Sequence, residues 1–228
     1  MRYILTVFIL ASFFISGCSS SQNKPSPLDK YWGNQEKSFA YKKFTAPKKW
    51  AAGQYTVIGV LDKGKKDSVM RTTIVRKEET GWVYEIITIN KKGKTSGMQM
   101  LIEGFGEAAA NKSKYEITLK WIKILGEDGS VQLVEGDMLG FFNSFYRSQF
   151  YKSQVDQYAA SEQAYEQTGP VTVPAGTFKG TTAIKTQKMS IFMHPEVPVN
   201  GMVKATDEKG KTVFELLDFG SNGKATIQ

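Results

Sequence analysis

Apolar and polar positions along this chain follow two rhythms. From Gln54 onward, short runs rich in β-branched and aromatic residues alternate with clusters of Gly, Lys and Asp. QYTVIGVLD, SVMRTTIVRK, WVYEIITIN and GMQMLIEGF are separated by KGKKD, EETG and KKGKT. Successive side chains of an extended segment point to opposite faces, so such runs read as strands and the clusters between them as turns. Turns this short make consecutive strands antiparallel neighbours. The clearest alternation is YEITLKW. It predicts Tyr115, Ile117, Leu119 and Trp121 on a buried face, with Glu116, Thr118 and Lys120 on a wet one. GEDGS then turns the chain back into VQLVEG. The last third returns to strands in GPVTVPAGTFKG, TTAIKTQK, MSIFMHPEVPV, NGMVKATD and TVFELLDFG, where Pro195 and Pro198 confine HPEVPV to an edge or a bend.

The second rhythm occupies DMLGFFNSFYRSQFYK, which predicts a helix between about Asp137 and Lys152. At 100° per residue, Met138, Leu139, Phe141, Phe142, Phe145, Tyr146 and Phe150 spread over roughly half the circumference, opposite Gly140, Asn143, Ser144 and Arg147. A stripe wider than the ~100° of a helix resting on a flat surface implies a concave seat. The expected fold is therefore mainly β: a curved antiparallel sheet or open half-barrel, with one Phe-rich helix packed in its concave face. That helical face serves either the core or an apolar cavity. Phe141, Phe142, Phe145 and Tyr146 are the candidate cavity lining. Ahead of the strands, Leu28 to Trp50 mixes six aromatics with six lysines and reads as a short helix and an extended entry segment.

The N-terminus has a different character. Arg2 precedes an almost wholly apolar run from Tyr3 to Ile15, then Ser16, Gly17 and the single cysteine of the chain, Cys18. A run of this length suits a signal-peptide core and is too short for a spanning helix. An aliphatic residue, two small residues and a cysteine resemble the bacterial lipobox. The resemblance implies acylation of Cys18 and cleavage before it. The expected organisation is a lipoprotein signal peptide (1–17), a flexible polar tether (18–27) and a single β-rich domain (28–228). Anchorage would be by lipid alone. Ser19 after the cysteine, by resemblance to enterobacterial sorting, favours the outer membrane facing the periplasm. Without a second cysteine no internal disulfide can form, so stability must come from an apolar core.

Charge is uneven. Residues 18–77 hold 13 basic and 4 acidic side chains, whereas residues 78–228 hold 16 and 18. The excess near the anchor suits anionic lipid headgroups or simply solubilises strand edges. No nucleic-acid motif accompanies it.

Two stretches carry a wider resemblance. KKWAAGQYTVIGVLD opens the strands with a W–x–x–G–Q–Y segment, and VPAGTF is followed by PEVPVNG. Together they resemble a group of bacterial exported proteins and lipoproteins built on a β-meander. The order of strands, one Phe-rich helix and more strands is similar to the LolA/LolB superfamily. In that superfamily a curved sheet covered by helices encloses a cavity for acyl chains.

Candidate chemistry is sparse. His194 is the sole histidine, so no multi-histidine metal site can form; beside Pro195 and Glu196 it reads as a partly exposed structural residue. The acidic residues mostly fall in turns such as Glu78–Glu79, Glu127–Asp128 and Asp207–Glu208. EGFGE lacks the lysine and hydroxyl of a phosphate loop. No catalytic residue, metal ligand or cofactor is expected. The leading expectation is a lipid-anchored envelope lipoprotein, not an enzyme, that binds or carries an apolar or amphipathic ligand such as lipid or acyl chains. The alternative is a structural or assembly lipoprotein that meets a protein partner through its aromatic, basic N-terminal segment. A hydrolase of envelope polymers is the weaker third.

Overall fold

The computed structural model describes residues 25–44, 49–104, 118–146, 166–185 and 188–228. Cys18, with the leader and most of the tether, lies outside them. Four strands form a meander: β2 (Tyr55–Asp62), β3 (Lys65–Lys77), β4 (Gly81–Asn90) and β5 (Thr95–Glu103). It continues through β6 (Thr118–Leu125) and β7 (Val131–Val134) to the helix α1 (Asp137–Tyr146). β8 (Glu166–Thr168), β11 (Thr181–Lys185), β12 (Met189–Met193), β13 (Met202–Asp207) and β14 (Thr212–Gly220) complete an antiparallel sheet of order β7-β6-β5-β4-β3-β2-β14-β13-β12-β11-β8. The meander is joined to the C-terminal strands by the pairing of β14 with β2. β7 and β8 are its two edges, so the sheet is open and not a closed barrel. A small second sheet joins β1 (Ser38–Phe39), β10 (Gly176–Phe178) and β9 (Val171–Val173).

Local chemistry explains the turns. Lys63 and Gly64 both take positive φ, 51° and 80°, between β2 and β3. That is the geometry of a two-residue hairpin whose twist matches its strands. Asn90 and Asp207 open two further hairpins with their own side chains. Asn90 Oδ1 accepts from the backbone of Lys92 and Lys94, and Asp207 Oδ1 from that of Lys209 and Lys211.

The sheet has two differently covered faces. On the first, Ile74, Tyr84, Met100, Ile102, Leu119 and Ile122 form a buried cluster, with Leu139 and Phe142 of α1 packed against it. Farther along this face Phe178 is fully buried and stacks on Phe39 at 4.6 Å. The second face carries Val57, Val69 and Leu217 and is covered by both ends of the described chain: Leu28 to Gln35 at one side and residues 221–228 at the other.

Three details depart from the sequence pattern. The alternation of β6 does not run through: a register shift opposite Leu101 and Ile102 makes Lys120 an extra residue. Leu119 and Ile122 therefore share the first face while Trp121 turns to the second; Tyr115 and Ile117 lie outside the described residues. The helix does not keep Asn143 away from the sheet. Its amide receives the Leu119 N–H at 2.7 Å and donates to the Leu119 carbonyl at 3.0 Å, which anchors α1 to β6 through backbone groups. His194, expected to be partly exposed, is fully buried. Its Nδ1 accepts from the Glu196 N–H at 3.2 Å, which leaves Nε2 to donate to the Ala40 carbonyl at 3.0 Å. A bend closed by Val199 at φ 64° holds the ring there. Among its described residues the N-terminal segment forms a 3-10 turn, Asp29–Tyr31, before it extends into β1.

Candidate functional site

On the second face, register brings three residues into one row across neighbouring strands. Asp218 of β14 pairs with Val57 of β2, and Val57 with Arg71 of β3. With strands about 4.8 Å apart, the carboxylate and guanidinium stems stand roughly 10 Å apart over an apolar middle. Asp218 owes its position to a bulge. The β14–β2 register shifts between Leu216 and Asp218, so Leu217 is an extra residue, and both Leu217 and Asp218 reach the same space.

The N-terminal segment roofs this row. Leu28 is buried beneath it. Asp29 closes the turn by accepting from the Ser26 N–H at 2.8 Å and pairs with Lys66 at 2.6 Å. Hydrogen bonding from Lys66, then from Ser26, holds the Asp29 carboxyl below its ordinary value. Trp32 lies on the sheet over Gly59, where any Cβ would strike its ring, and its indole N–H donates to Glu215. The Gln35 N–H donates to the Pro174 carbonyl at 2.8 Å, and its side-chain amide donates to Asp218 Oδ1 at 3.1 Å. The result is an open groove of about 540 Å³ between roof and sheet. Val57 and Leu217 form its floor, Tyr31 and Tyr55 its aromatic walls, and Lys30, Asn34, Arg71, Asp218 and Asn222 its polar rim.

The electrostatics of the groove are lopsided. Both oxygens of Asp218 already accept: Oδ1 from Gln35 and Oδ2 from the Tyr55 hydroxyl at 2.9 Å. Burial, and then donation to Asp218, push the Tyr55 hydroxyl above the ordinary tyrosine value. It therefore stays protonated at neutral pH. The Arg71 guanidinium lies 5.2 Å from the centre of the Tyr55 ring. Its Nε is buried and has no hydrogen-bond partner among the described residues. Lys30 adds a second cation at the rim, its Nζ 5.0 Å from the Tyr31 ring centre.

Beside the groove, the C-terminal tail is held by a buried carboxylate. Glu85 is 1 % exposed. It accepts from the Thr226 N–H at 2.8 Å, the Ile227 N–H at 2.9 Å and the Gln99 amide at 3.1 Å, and that amide also donates to the Ile227 carbonyl at 2.8 Å. Gly223 donates to the Gly53 carbonyl at 2.7 Å, which sets Asn222 at the end of the groove.

The residues predicted as cavity lining belong to α1. Phe141 sits on α1 and is 74 % exposed; Phe142 is half-buried against the first-face cluster. Phe145 and Tyr146 end α1, and their side chains lie outside the description. α1 packs on β6, three strands along the sheet from β3, and none of its described side chains lines the groove. The missed residues had one usable signal. Arg71 shares its face of β3 with Val69 and Thr73, and Glu85 shares its face of β4 with Val83 and Ile87. A charge set within an otherwise apolar or β-branched stripe of a strand calls for a partner. Among the described residues no group of three His, Cys, Asp or Glu side chains could hold a metal, and no helix is long and apolar enough to cross a membrane. Compared with protein-family models, curated proteins and solved structures, the chain matches none.

Proposed function

We propose that this protein is a lipid-anchored envelope lipoprotein, held through Cys18, that binds a small amphipathic molecule in the groove under its N-terminal segment. One observation carries the reading: the groove pairs an apolar floor, Val57 and Leu217, with a polar rim whose cations have no carboxylate partner inside it. Ligand sites combine apolar walls with a few placed polar groups in this way. Binding is favoured over catalysis because Tyr55 is held protonated and Asp218, the only carboxylate among the described lining residues, has both oxygens engaged. The groove begins at Lys30, soon after the proposed tether, so a bound molecule would sit close to the membrane surface.

The test is native mass spectrometry of the full chain released from lipid nanodiscs. The expected result is a small non-covalent adduct that Gly33→Trp removes. Gly33 lines the groove with open space at its Cβ, so a side chain can start there without striking a neighbour, and an indole is large enough to obstruct the site. An adduct that persists unchanged in that variant, or none in the parent, overturns the reading. Cys18→Ala should release the protein from the membrane fraction or leave an uncleaved precursor; normal processing and fractionation would remove the anchor from the proposal.

A second reading, an assembly lipoprotein with a protein partner, draws on one observation. Large apolar side chains are exposed at the β7 end of the sheet: Val131 and Leu133 on the second face of the edge strand, and Met138 and Phe141 on α1, which packs on the first face. The N-terminal aromatics support it less: Phe39 and Phe44 pack into the core and Trp32 lies on Gly59.

A further inference from the structure

We infer that the molecule taken up by the groove presents an oxyanion, a carboxylate or a phosphate, to Arg71. This rests on the proposed binding role and names the ligand's head group. Among the described residues Arg71 Nε is buried and has no hydrogen-bond partner, while the side chain as a whole is half-buried. A buried donor without an acceptor carries a cost that an acceptor arriving from outside would remove, and the half-exposed head leaves room for one to arrive. The one carboxylate on its row does not serve. Asp218 is separated from Arg71 by Val57 and gives its two oxygens to Gln35 and Tyr55.

The guanidinium is also presented for use. The Tyr55 ring lies beside it at 5.2 Å, and the Tyr55 hydroxyl is fixed in turn by Asp218. A planar fork so supported matches the paired oxygens of a carboxylate or phosphate. Lys30 at the rim adds to the attraction for an anion, and no open acid in the lining opposes it. Asn34 and Asn222 stand at the rim to receive polar substituents beside the acid group, while Val57 and Leu217 offer apolar surface to whatever hangs from it. The same oxyanion chemistry can belong to a free small anion or to the head of a longer amphiphile.

The experiment is calorimetric titration of the full chain in phosphatidylcholine nanodiscs, with empty discs as the blank. The probes are octanoate, octyl phosphate, the neutral isostere octanamide, acetate and inorganic phosphate. The expected result is octanoate or octyl phosphate binding about 10- to 100-fold more tightly than octanamide, the scale of a charge-assisted hydrogen bond. Arg71→Met should abolish that preference while leaving the weak binding of octanamide, and Arg71→Lys should retain part of it. Should Arg71→Met fail to fold by circular dichroism, the ratio of octanoate to octanamide in the parent decides alone. Equal affinity for those two overturns the assignment of Arg71 but leaves the binding role. Failure of every eight-carbon probe to bind overturns both. Acetate or inorganic phosphate binding as tightly as the eight-carbon acids keeps Arg71 as the anion site and makes the source a free small anion, which overturns the amphipathic reading.

Discussion

Glu85→Gln isolates the contribution of one buried carboxylate to the whole second face. The substitution keeps the shape and removes the charge, so the effect is carried by hydrogen bonds. Oε1 accepts from the Thr226 N–H, and Oε2 from the Ile227 N–H and the Gln99 amide. All of these are donors, and an amide has only one oxygen to offer them. One orientation sets its NH₂ group against the buried Ile227 N–H and strands it; the other sets it against the Thr226 N–H, which keeps only its longer bond, 3.1 Å, to the remaining oxygen. A hydrogen bond to a charged acceptor contributes about 1.5–3 kcal/mol, and a stranded buried donor costs about 1–3 kcal/mol. Against this, the neutral amide is cheaper to bury than the carboxylate. The balance is a loss of about 2–4 kcal/mol, a large share of the ~5–15 kcal/mol that stabilises a typical domain. Ile227 remains an apolar anchor, since its side chain is buried, so the tail should loosen rather than leave entirely. Urea unfolding of the full chain, followed by tryptophan fluorescence, should show a lower midpoint at unchanged slope. Hydrogen exchange should quicken at the Thr226 and Ile227 amides. A midpoint within about 0.5 kcal/mol of the parent, with both amides still protected, would refute the reasoning and leave packing of Ile227 as the tail's main restraint.

Other outcomes follow from neighbouring contacts. Because the folded protein holds the Tyr55 hydroxyl above its ordinary value of 10.0, the stability it contributes is present below about pH 10 and is lost as pH rises through the raised value. Tyr55→Phe should cost about 1 kcal/mol at neutral pH, and that deficit should shrink in alkali; a constant difference from pH 7 to 11 would contradict it. His194→Ala removes a fully buried ring with two backbone partners and a neighbour, Phe178, at 5.0 Å, so urea unfolding should show a loss of about 3 kcal/mol; a loss under 1 kcal/mol would count against a structural role. On α1, Leu139→Ala should cost about 1–2 kcal/mol and Phe141→Ser under about 0.5 kcal/mol, since one packs on the first-face cluster and the other is exposed. The reverse order in thermal or urea melts would mean that Phe141 is covered.

The strands were legible because each repeats a physical constraint several times. In WVYEIITIN, Trp82, Tyr84 and Ile86 face one cluster while Val83 and Ile87 face the other side, and the KKGKT turn leaves an antiparallel return as the only short route. The helix was legible in its period. Of its described apolar side chains, Leu139 and Phe142 pack on the first-face cluster while Met138 and Phe141 are exposed, a division that the period alone does not make. The polar Asn143 reaches the sheet because the Leu119 backbone has an N–H and a carbonyl to satisfy there. Bulges break a period that pattern reading must assume is continuous. The extra residue at Lys120 moved Trp121 to the other face, and the one at Leu217 put Asp218 into the groove.

The groove was hidden for a related reason. Its floor is sheet, but its roof is a segment with neither period 2 nor period 3.6, held by contacts distant in sequence. Trp32 reaches Glu215, Gln35 reaches Asp218, and Lys66 reaches Asp29. None of these pairs is marked by spacing. Arg71 had the one local mark, a charge between Val69 and Thr73 on a buried stripe, and that mark does not say which partner will answer it. Glu85 bears the same mark, and the fold supplies its donors from the chain itself, at Thr226 and Ile227. Arg71 receives no acceptor from the described chain. Two buried-stripe charges thus lie on adjacent strands of one face, on neighbouring rows of the sheet, and only one of them is answered from within. That contrast underlies the proposed role of Arg71: the same sheet that satisfies Glu85 through the C-terminal tail leaves Arg71 Nε without an acceptor among the described residues.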